Sequence, residues 1–335
     1  MLRYLGTDQG GVATTMFRWN KLGKIFDPTQ IKDISWMKEF AQAPDTLIFD
    51  NFVRVYFSSR PLPDENRQYV SYSAYVDLNR YDLSKIIDVA QNPILELGEL
   101  GTFDEFGTYP VSVIRKGKEV LAYYGGWTRC ESVPFTVAIG VAVSHNGGKS
   151  FTKLGKGPIL ANSVHDPFVL SGPKIRRFGG CWYLWYVAGT KWLANNGKPE
   201  AVYKIRMASS DDGLNWIRDG RDIIESRIEE NECQASPDVL FYKNRYHMFF
   251  CYKYAMDFRN NERGYRIGYA VSDDMVHWHR DDVRAGIDIS TKGWDDQSIA
   301  YPHVFELDNS IYMLYLGNQV GRFGFGLAKL EEYKT

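Results

Sequence analysis

Apolar and polar positions alternate along most of this chain in short runs, the period-two pattern of half-buried strands. The runs are organised into a repeated unit. Each unit has a proline, a short apolar strand, a turn, and a strand rich in Tyr and Phe. The instances begin at Pro44 (PDTLIF…VRVYFSSR), Pro110 (PVSVI…EVLAYYGGW), Pro167 (PFVLSG…CWYLWYVAG), Pro237 (PDVLFY…RYHMFFCYK) and Pro302 (PHVFEL…SIYMLYLGN). Successive prolines stand 66, 57, 70 and 65 residues apart, so five units of similar length account for most of the chain. A period in this range is the mark of a propeller or a solenoid.

After the aromatic strand comes a strand of small residues that ends in a turn: AIGVAVSHNGGKSF (138–151), KIRMASSDDGLNW (204–216) and RIGYAVSDDMVHW (266–278). Ser144, Ser210 and Ser272 open these turns, and the Asp, Asn and Gly that follow tolerate left-handed backbone or bond their own main chain. A further strand follows, as in FTKLGKGPIL (151–160) and WIRDGRDII (216–224). Four strands per unit and five units predict an all-β, five-bladed β-propeller with four-stranded antiparallel blades. The N-terminal segment argues against a solenoid. WNKLGKIF (19–26) resembles FTKLGKGPIL, while the last unit stops after a third strand, FGFGLAKL (323–330). Residues 19–26 are therefore expected to supply the missing strand of the last blade, and so to close the ring and remove a free sheet edge. One domain over 1–335 is expected, with a single short helix at IKDISWMKEFAQ (31–42).

Composition narrows the partners. The 335 residues carry 40 Lys+Arg against 41 Asp+Glu, a formal charge of −1, which gives no electrostatic reason to expect nucleic acid. The 22 Tyr, 19 Phe and 9 Trp favour strands and supply flat apolar faces for a ligand. No apolar run reaches the ~18 residues of a membrane-spanning helix. The start, MLRYLGTDQGG, has no apolar core of a signal peptide, and Cys130, Cys181, Cys233 and Cys251 form no C-x-x-C pair. Both features predict a cytoplasmic protein with reduced thiols.

In a propeller the first strand of each blade lines the central channel, so the proline column gathers its neighbours into one ring. Immediately before the prolines stand Ala43, Tyr109, Asp166, Ser236 and Tyr301; immediately after stand Asp45, Val111, Phe168, Asp238 and His303. Five positions before are Glu39, Glu105, Asn162, Glu232 and Gln297. Acids converging on an axis are costly unless paired, hydrated or functional.

Two of these segments carry a family resemblance. HDPF (165–168) resembles the Arg-Asp-Pro motif, and NECQASPD (231–238) the Glu-Cys…Pro-Asp motif, of the five-bladed propeller glycosidases, the superfamily of glycoside hydrolase families 43, 32, 68, 117 and 130. The resemblance implies a carbohydrate substrate and a glycosidic bond cleaved by carboxylates in the axial pocket. It implies Glu232 as general acid, Asp166 as orienting group that raises the pKa of its partner, and Asp45, in QAPDTLIF (42–49), as base or nucleophile. Asp45 follows its proline where the family acid precedes it, and four residues separate Glu232 from Pro237.

Arg60, Glu105, Tyr109, Trp127, His165, Gln234, Asp296, Gln297 and His303 are the further substrate-binding candidates. Each has an ordinary structural alternative: Asp104 and Asp295 as turn caps, Trp127 as inter-blade packing, Arg60 in a salt bridge. His303 matches a position where family 43 members often hold a calcium or its waters; a plain hydrogen bond is the alternative, and no cofactor is otherwise expected. Two rival readings stay open. A phosphorylase or transferase would need cations near the axis, and Arg60, Lys174, Arg176, Arg177 and Lys253 are available. A non-catalytic sugar-binding propeller is the other.

Overall fold

The structure, a computed structural model, describes residues 17–194, 197–259 and 262–331. Five four-stranded antiparallel sheets form, with neighbours paired in chain order except at the closure. Blade I comprises Glu39–Ile48, Phe52–Arg60, Tyr72–Asn79 and Asp82–Val89. Blade II comprises Gly107–Lys116, Glu119–Arg129, Phe135–Ser144 and Thr152–Lys153. Blade III comprises Leu170–Phe178, Cys181–Leu193, Glu200–Ser210 and Ile217–Arg218. Blade IV comprises Cys233–Tyr242, Arg245–Lys253, Arg266–Ser272 and His279–Arg280. Blade V comprises Ala300–Leu307, Ser310–Leu316 and Phe325–Leu330, with Trp19–Phe26 as its outermost strand. Inner strands touch in turn from I to V and from V back to I, which makes a closed five-bladed propeller.

Closure follows the expected segment. Trp19 pairs with Leu330 and Phe26 with Phe325. Phe26 is buried, its ring 5.4 Å from Phe325 and 4.9 Å from Phe57 of blade I, so one side chain ties the last blade to the first.

Every inner strand carries the same irregularity. Its register slips between Gln42 and Asp45, Thr108 and Val111, Ser171 and Lys174, Ala235 and Asp238, and Ala300 and His303. A bulge leaves one position unpaired, and a proline, which has no N–H to donate, fits there. The residue before the proline is left-handed in four blades: Ala43 (φ 53°), Gly172 (φ 57°), Ser236 (φ 48°) and Tyr301 (φ 50°). This register corrects the third repeat, which begins at Pro173 rather than Pro167. Pro167 precedes the apolar run FVL and Pro173 the charged KIRR, yet only Pro173 lies in the bulge opposite Trp185 and Val187. The spacing then becomes 66, 63, 64 and 65 residues.

The helix expected over 31–42 is absent. Ile34, Met37 and Ala41 have helix-like spacing, yet all three are buried in the core between blades, and from Glu39 onward the segment pairs with the second strand of blade I. Tertiary pairing overrides local propensity there.

The serine turns are structural. The hydroxyls of Ser144, Ser210 and Ser272 accept the backbone N–H groups of Gly148, Gly213 and Met275. Blade-to-blade ties end on two of these turns, since Tyr56 donates to the Gly148 carbonyl at 2.9 Å and Tyr123 to that of Gly213 at 2.7 Å. A Cβ at Gly148 would stand 2.0 Å from the Tyr56 hydroxyl, at a φ of +80°, so only glycine fits.

The Phe26→Ala variant is expected to lose about 3–5 kcal/mol, the usual cost of emptying a buried phenylalanine site. Urea unfolding followed by intrinsic fluorescence measures this; an unchanged midpoint would show that closure does not depend on the Phe26 contact.

Candidate functional site

Side chains from all five inner strands meet in an ion cluster at the axis, two of them, Lys174 and Arg176, from blade III. Lys174 Nζ lies 2.9 Å from Asp45 Oδ2, and Ser112 donates to the same oxygen at 2.5 Å. Arg176 pairs with Asp238, whose other oxygen lies 2.7 Å from His303 Nδ1. These side chains also satisfy backbone donors of the neighbouring blade. Ile175 N–H donates to Ser112 Oγ, Val304 N–H to Asp238 Oδ2, and Thr46 N–H to His303 Nε2. Because Nε2 accepts, the proton sits on Nδ1 and is donated to Asp238, so the imidazole is neutral.

Burial would raise the carboxyls of Asp45 and Asp238. The charges of Lys174 and Arg176, with the His303 hydrogen bond to Asp238, outweigh it, and both are held below the ordinary value. Burial, reinforced by Lys174, pushes His303 below its usual 6.5. A calcium does not fit this cluster: both ring nitrogens of His303 are engaged, and the Lys174 and Arg176 cations already neutralise Asp45 and Asp238. Among the described residues no three His, Cys, Asp or Glu groups come together as a metal site.

Asp166 and Glu232 are not on the axis. Each belongs to a tie that recurs in four blades: an acid in the segment leading into the inner strand is clamped by a cation on the outermost strand of the same blade. The pairs are Asp104–Lys153 (2.5 Å), Asp166–Arg218 (2.9 Å), Glu232–Arg280 (2.5 Å) and Asp295–Lys21 (2.7 Å). All four acids are buried. Arg206 adds a second contact to Asp166 at 2.9 Å. Glu232 also accepts from the N–H groups of Arg227 and Ile228 and from Gln234. Burial raises its carboxyl, but the Arg280 hydrogen bond and these donors win and hold it below its ordinary value. A general acid must be protonated at working pH; Glu232 is a carboxylate surrounded by donors. The expected trio is therefore not assembled. Asp45 belongs to the axial cluster, Asp166 and Glu232 to separate ties, and none of them lines a cavity.

The cavity lies above the axial cluster, at the end where the inner strands begin, with a volume of about 880 Å³. Antiparallel pairing explains its lining. The starts of first strands, ends of second strands and starts of third strands all emerge on this face. Tyr109, Ser236 and Tyr301 come from the first group; Arg60, Trp127, Trp192 and Lys253 from the second; Phe135, Glu200 and Tyr203 from the third. Glu200 is the only carboxylate among the described lining residues, and it pairs with Arg259 at 3.0 Å. Against it stand Arg60, Lys198, Lys253, Arg259 and Arg322. Arg322 is neutralised by Glu39, which also accepts from the Tyr69 hydroxyl.

Of the other expected binding residues, Arg60, Tyr109, Trp127 and Gln297 line this cavity. The rest do not. Glu105 accepts from Gly101 N–H, and Asp296 from Gly293 N–H and Asn318. Gln234 orients Glu232, and His303 is sealed in the cluster. His165 is exposed, its carbonyl accepting from Arg206. Of the cations required by a phosphorylase, Arg60 and Lys253 reach the cavity. Lys174 and Arg176 serve the axial cluster, and Arg177 donates to the Gly180 carbonyl. Glu200, Tyr203, Tyr265 and Trp192 were missed. Strand direction alone points to them, as the ends of strands that must share the face on which the inner strands start.

The fold is a closed five-bladed β-propeller, and solved glycoside hydrolases share it. A glycoside hydrolase superposes with a TM-score of 0.71 at 13% identity, covering 95% of this chain and 93% of its own. A structure from the GH130 family, which contains mannoside phosphorylases and glycoside hydrolases that target β-1,2 mannosidic linkages in Candida mannan, gives 0.66 at 13%, covering 97% and 96%. These likenesses concern the fold. No protein-family model matches the chain. Two Mycobacterium tuberculosis proteins, from strains CDC 1551 / Oshkosh and ATCC 25618 / H37Rv and both described only as uncharacterized, are 36% identical over 314 residues, 93% of this chain and 99% of theirs. The chain belongs to the family of these mycobacterial proteins.

Two outcomes are expected. Glu232→Gln weakens the Arg280 tie, costing about 1–3 kcal/mol of stability, while turnover per folded molecule is retained; a melting curve and activity normalised to folded protein separate the two effects. Stability should also fall on acidification. Folded His303 binds its proton more weakly than a free imidazole, so below about 6.5 the unfolded chain takes the proton and gains population. Asp45 and Asp238 extend the loss below about 3.8. The urea midpoint should drop between about pH 7.5 and about pH 5, and His303→Asn should flatten that slope. The residue of the slope belongs to His247, which burial also lowers.

Proposed function

We propose that the chain is a carbohydrate-active enzyme acting on a glycosidic bond held in the axial cavity. The observation that carries this reading is the cavity itself: about 880 Å³, at the axial mouth of the propeller, walled by Trp127, Phe135, Trp192 and Tyr69. Its size suits a small saccharide, and flat aromatic walls suit the apolar faces of sugar rings while a few polar groups fix orientation. The superposed glycoside hydrolases and the GH130 structure support the same class of substrate.

Scission of a glycosidic bond needs a proton for the leaving oxygen. Glu200 is the cavity carboxylate available for it, and the largely exposed Arg259 side chain must leave its 3.0 Å pair with Glu200 before that carboxyl can carry the proton. Hydrolysis by paired carboxyls would need a second one some 5–10 Å away, and the described lining offers none. Arg60 and Lys253 on the cavity wall favour a second reading, glycosyl transfer to phosphate, in which the attacking group arrives already ionised and no protein base is required.

The test is a panel of aryl glycosides and oligosaccharides, assayed with and without inorganic phosphate. Glu200→Gln is expected to lower kcat by about 10²–10⁴-fold with the melting temperature retained. Release that depends on phosphate assigns transfer. Saccharides bound but never cleaved, or full activity in Glu200→Gln, would remove the enzymatic reading or the role of Glu200 respectively.

A further inference from the structure

The cavity floor is a file of four tyrosines with a cation at each end. The hydroxyls of Tyr109 and Tyr301 stand 3.3 Å apart, the rings of Tyr301 and Tyr265 5.8 Å apart, and the hydroxyls of Tyr265 and Tyr203 2.6 Å apart. Beyond Tyr109 lies Arg60, 5.9 Å from that ring and 4.6 Å from Phe40. Beyond Tyr203 lies Lys253, 5.5 Å from that ring and 3.4 Å from Phe258.

Neither cation has a carboxylate within 4.0 Å among the described residues. Arg60 makes one long side-chain hydrogen bond, 3.4 Å to Gln42. Lys253 is 3% exposed and meets the Tyr254 carbonyl at 3.2 Å and the Cys233 thiol. Other buried cations are provided for. Lys174 and Arg280 reach carboxylates at 2.9 and 2.5 Å, and Lys204, which has no acid, meets three oxygens between 2.6 and 3.4 Å. Burial pulls both Arg60 and Lys253 below their ordinary values, and the longer-range attraction of Glu39 for Arg60 and of Glu200 for Lys253 does not offset it. Aromatic faces recover only part of such a cost.

We propose that the saccharide this cavity takes is acidic: its rings lie along the tyrosine file, and a carboxylate, phosphoryl or sulfate substituent pairs with Arg60 or Lys253. The inference rests on the reading of the cavity as a saccharide site. An incoming anion replaces the missing counter-charge, so affinity for the acidic member of a sugar pair gains what the empty site lacks. A neutral sugar leaves both cations desolvated and unpaired, which builds selection against it into the wall.

Calorimetric titration of the full chain with matched probes tests this: glucose, glucuronic acid and glucose 6-phosphate, the galactose and mannose counterparts, and inorganic phosphate alone. At least one acidic member is expected to bind tenfold or more tighter than its neutral partner, with the gain shrinking as salt rises. Arg60→Gln or Lys253→Gln is expected to reduce that preference at least threefold, and Arg60→Lys to restore part of the loss at its site. The comparison within the unmodified chain stands even where a variant fails to fold. Equal binding of neutral and acidic partners, or a preference that survives both glutamine variants, overturns the proposal while leaving the saccharide reading intact. Phosphate alone binding as tightly as the sugar phosphates overturns it in favour of a free-anion site. No binding by any sugar, neutral or acidic, removes the saccharide reading together with it.

Discussion

Each inner strand turns an edge toward the axis that no sixth sheet covers, and the backbone donors on that edge need acceptors. Three of them, on Thr46, Ile175 and Val304, find these in side chains of the preceding blade. That requirement brings His303, Ser112 and Asp238 to the axis. The charge of Asp238 in turn calls for Arg176, and Lys174 and Asp45 balance each other beside it. The result is a polar plug where a globular domain would have apolar filling. It blocks the channel, so a ligand has a blind-ended bowl above it in place of a pore.

The same economy explains the acids that look catalytic. An inner strand begins after a long connection, and its lead-in segment must be held against its own blade. A buried carboxylate bonded to a cation on the outermost strand does this across the full width of the sheet, in four blades out of five. Removing either partner from such a pair leaves a buried charge uncompensated. The acids thus recur for folding, while the cavity wall is built from strand ends, where residues differ from blade to blade. Arg60 and Lys253 occupy the same register position at the end of the second strand in blades I and IV, where blades II, III and V carry no cation, and Glu200 opens the third strand of blade III alone.

Much of the architecture was legible because it depends on local alternation and on a copied unit. The closing strand Trp19–Phe26 was found by its likeness to 151–160, and its observed bounds match. The third blade was misread because the apolar FVL after Pro167 looks like an inner strand and the charged KIRR after Pro173 does not; the bulge that decides between them is a pairing property and leaves no mark on composition. The fate of Asp166 and Glu232 was hidden for a related reason. Their partners, Arg218 and Arg280, lie about 50 residues onward on strands two residues long. Arg60, Tyr109, Trp127 and Gln297 were legible from their position at blade ends, whereas Tyr203 and Tyr265 required the direction of each strand to be tracked around the ring.

The closing strand has a bearing on biogenesis. Trp19 must wait for Leu330, a contact separated by almost the whole chain. During synthesis that early segment is an unpaired β-edge while four blades are made behind it, and late contacts of such sequence separation are slow to form. Sticky edges of this kind recruit other chains. The nascent protein is then vulnerable until Phe325–Leu330 has been made, and chaperone holding of the Trp19–Phe26 segment would matter more than assistance to any blade.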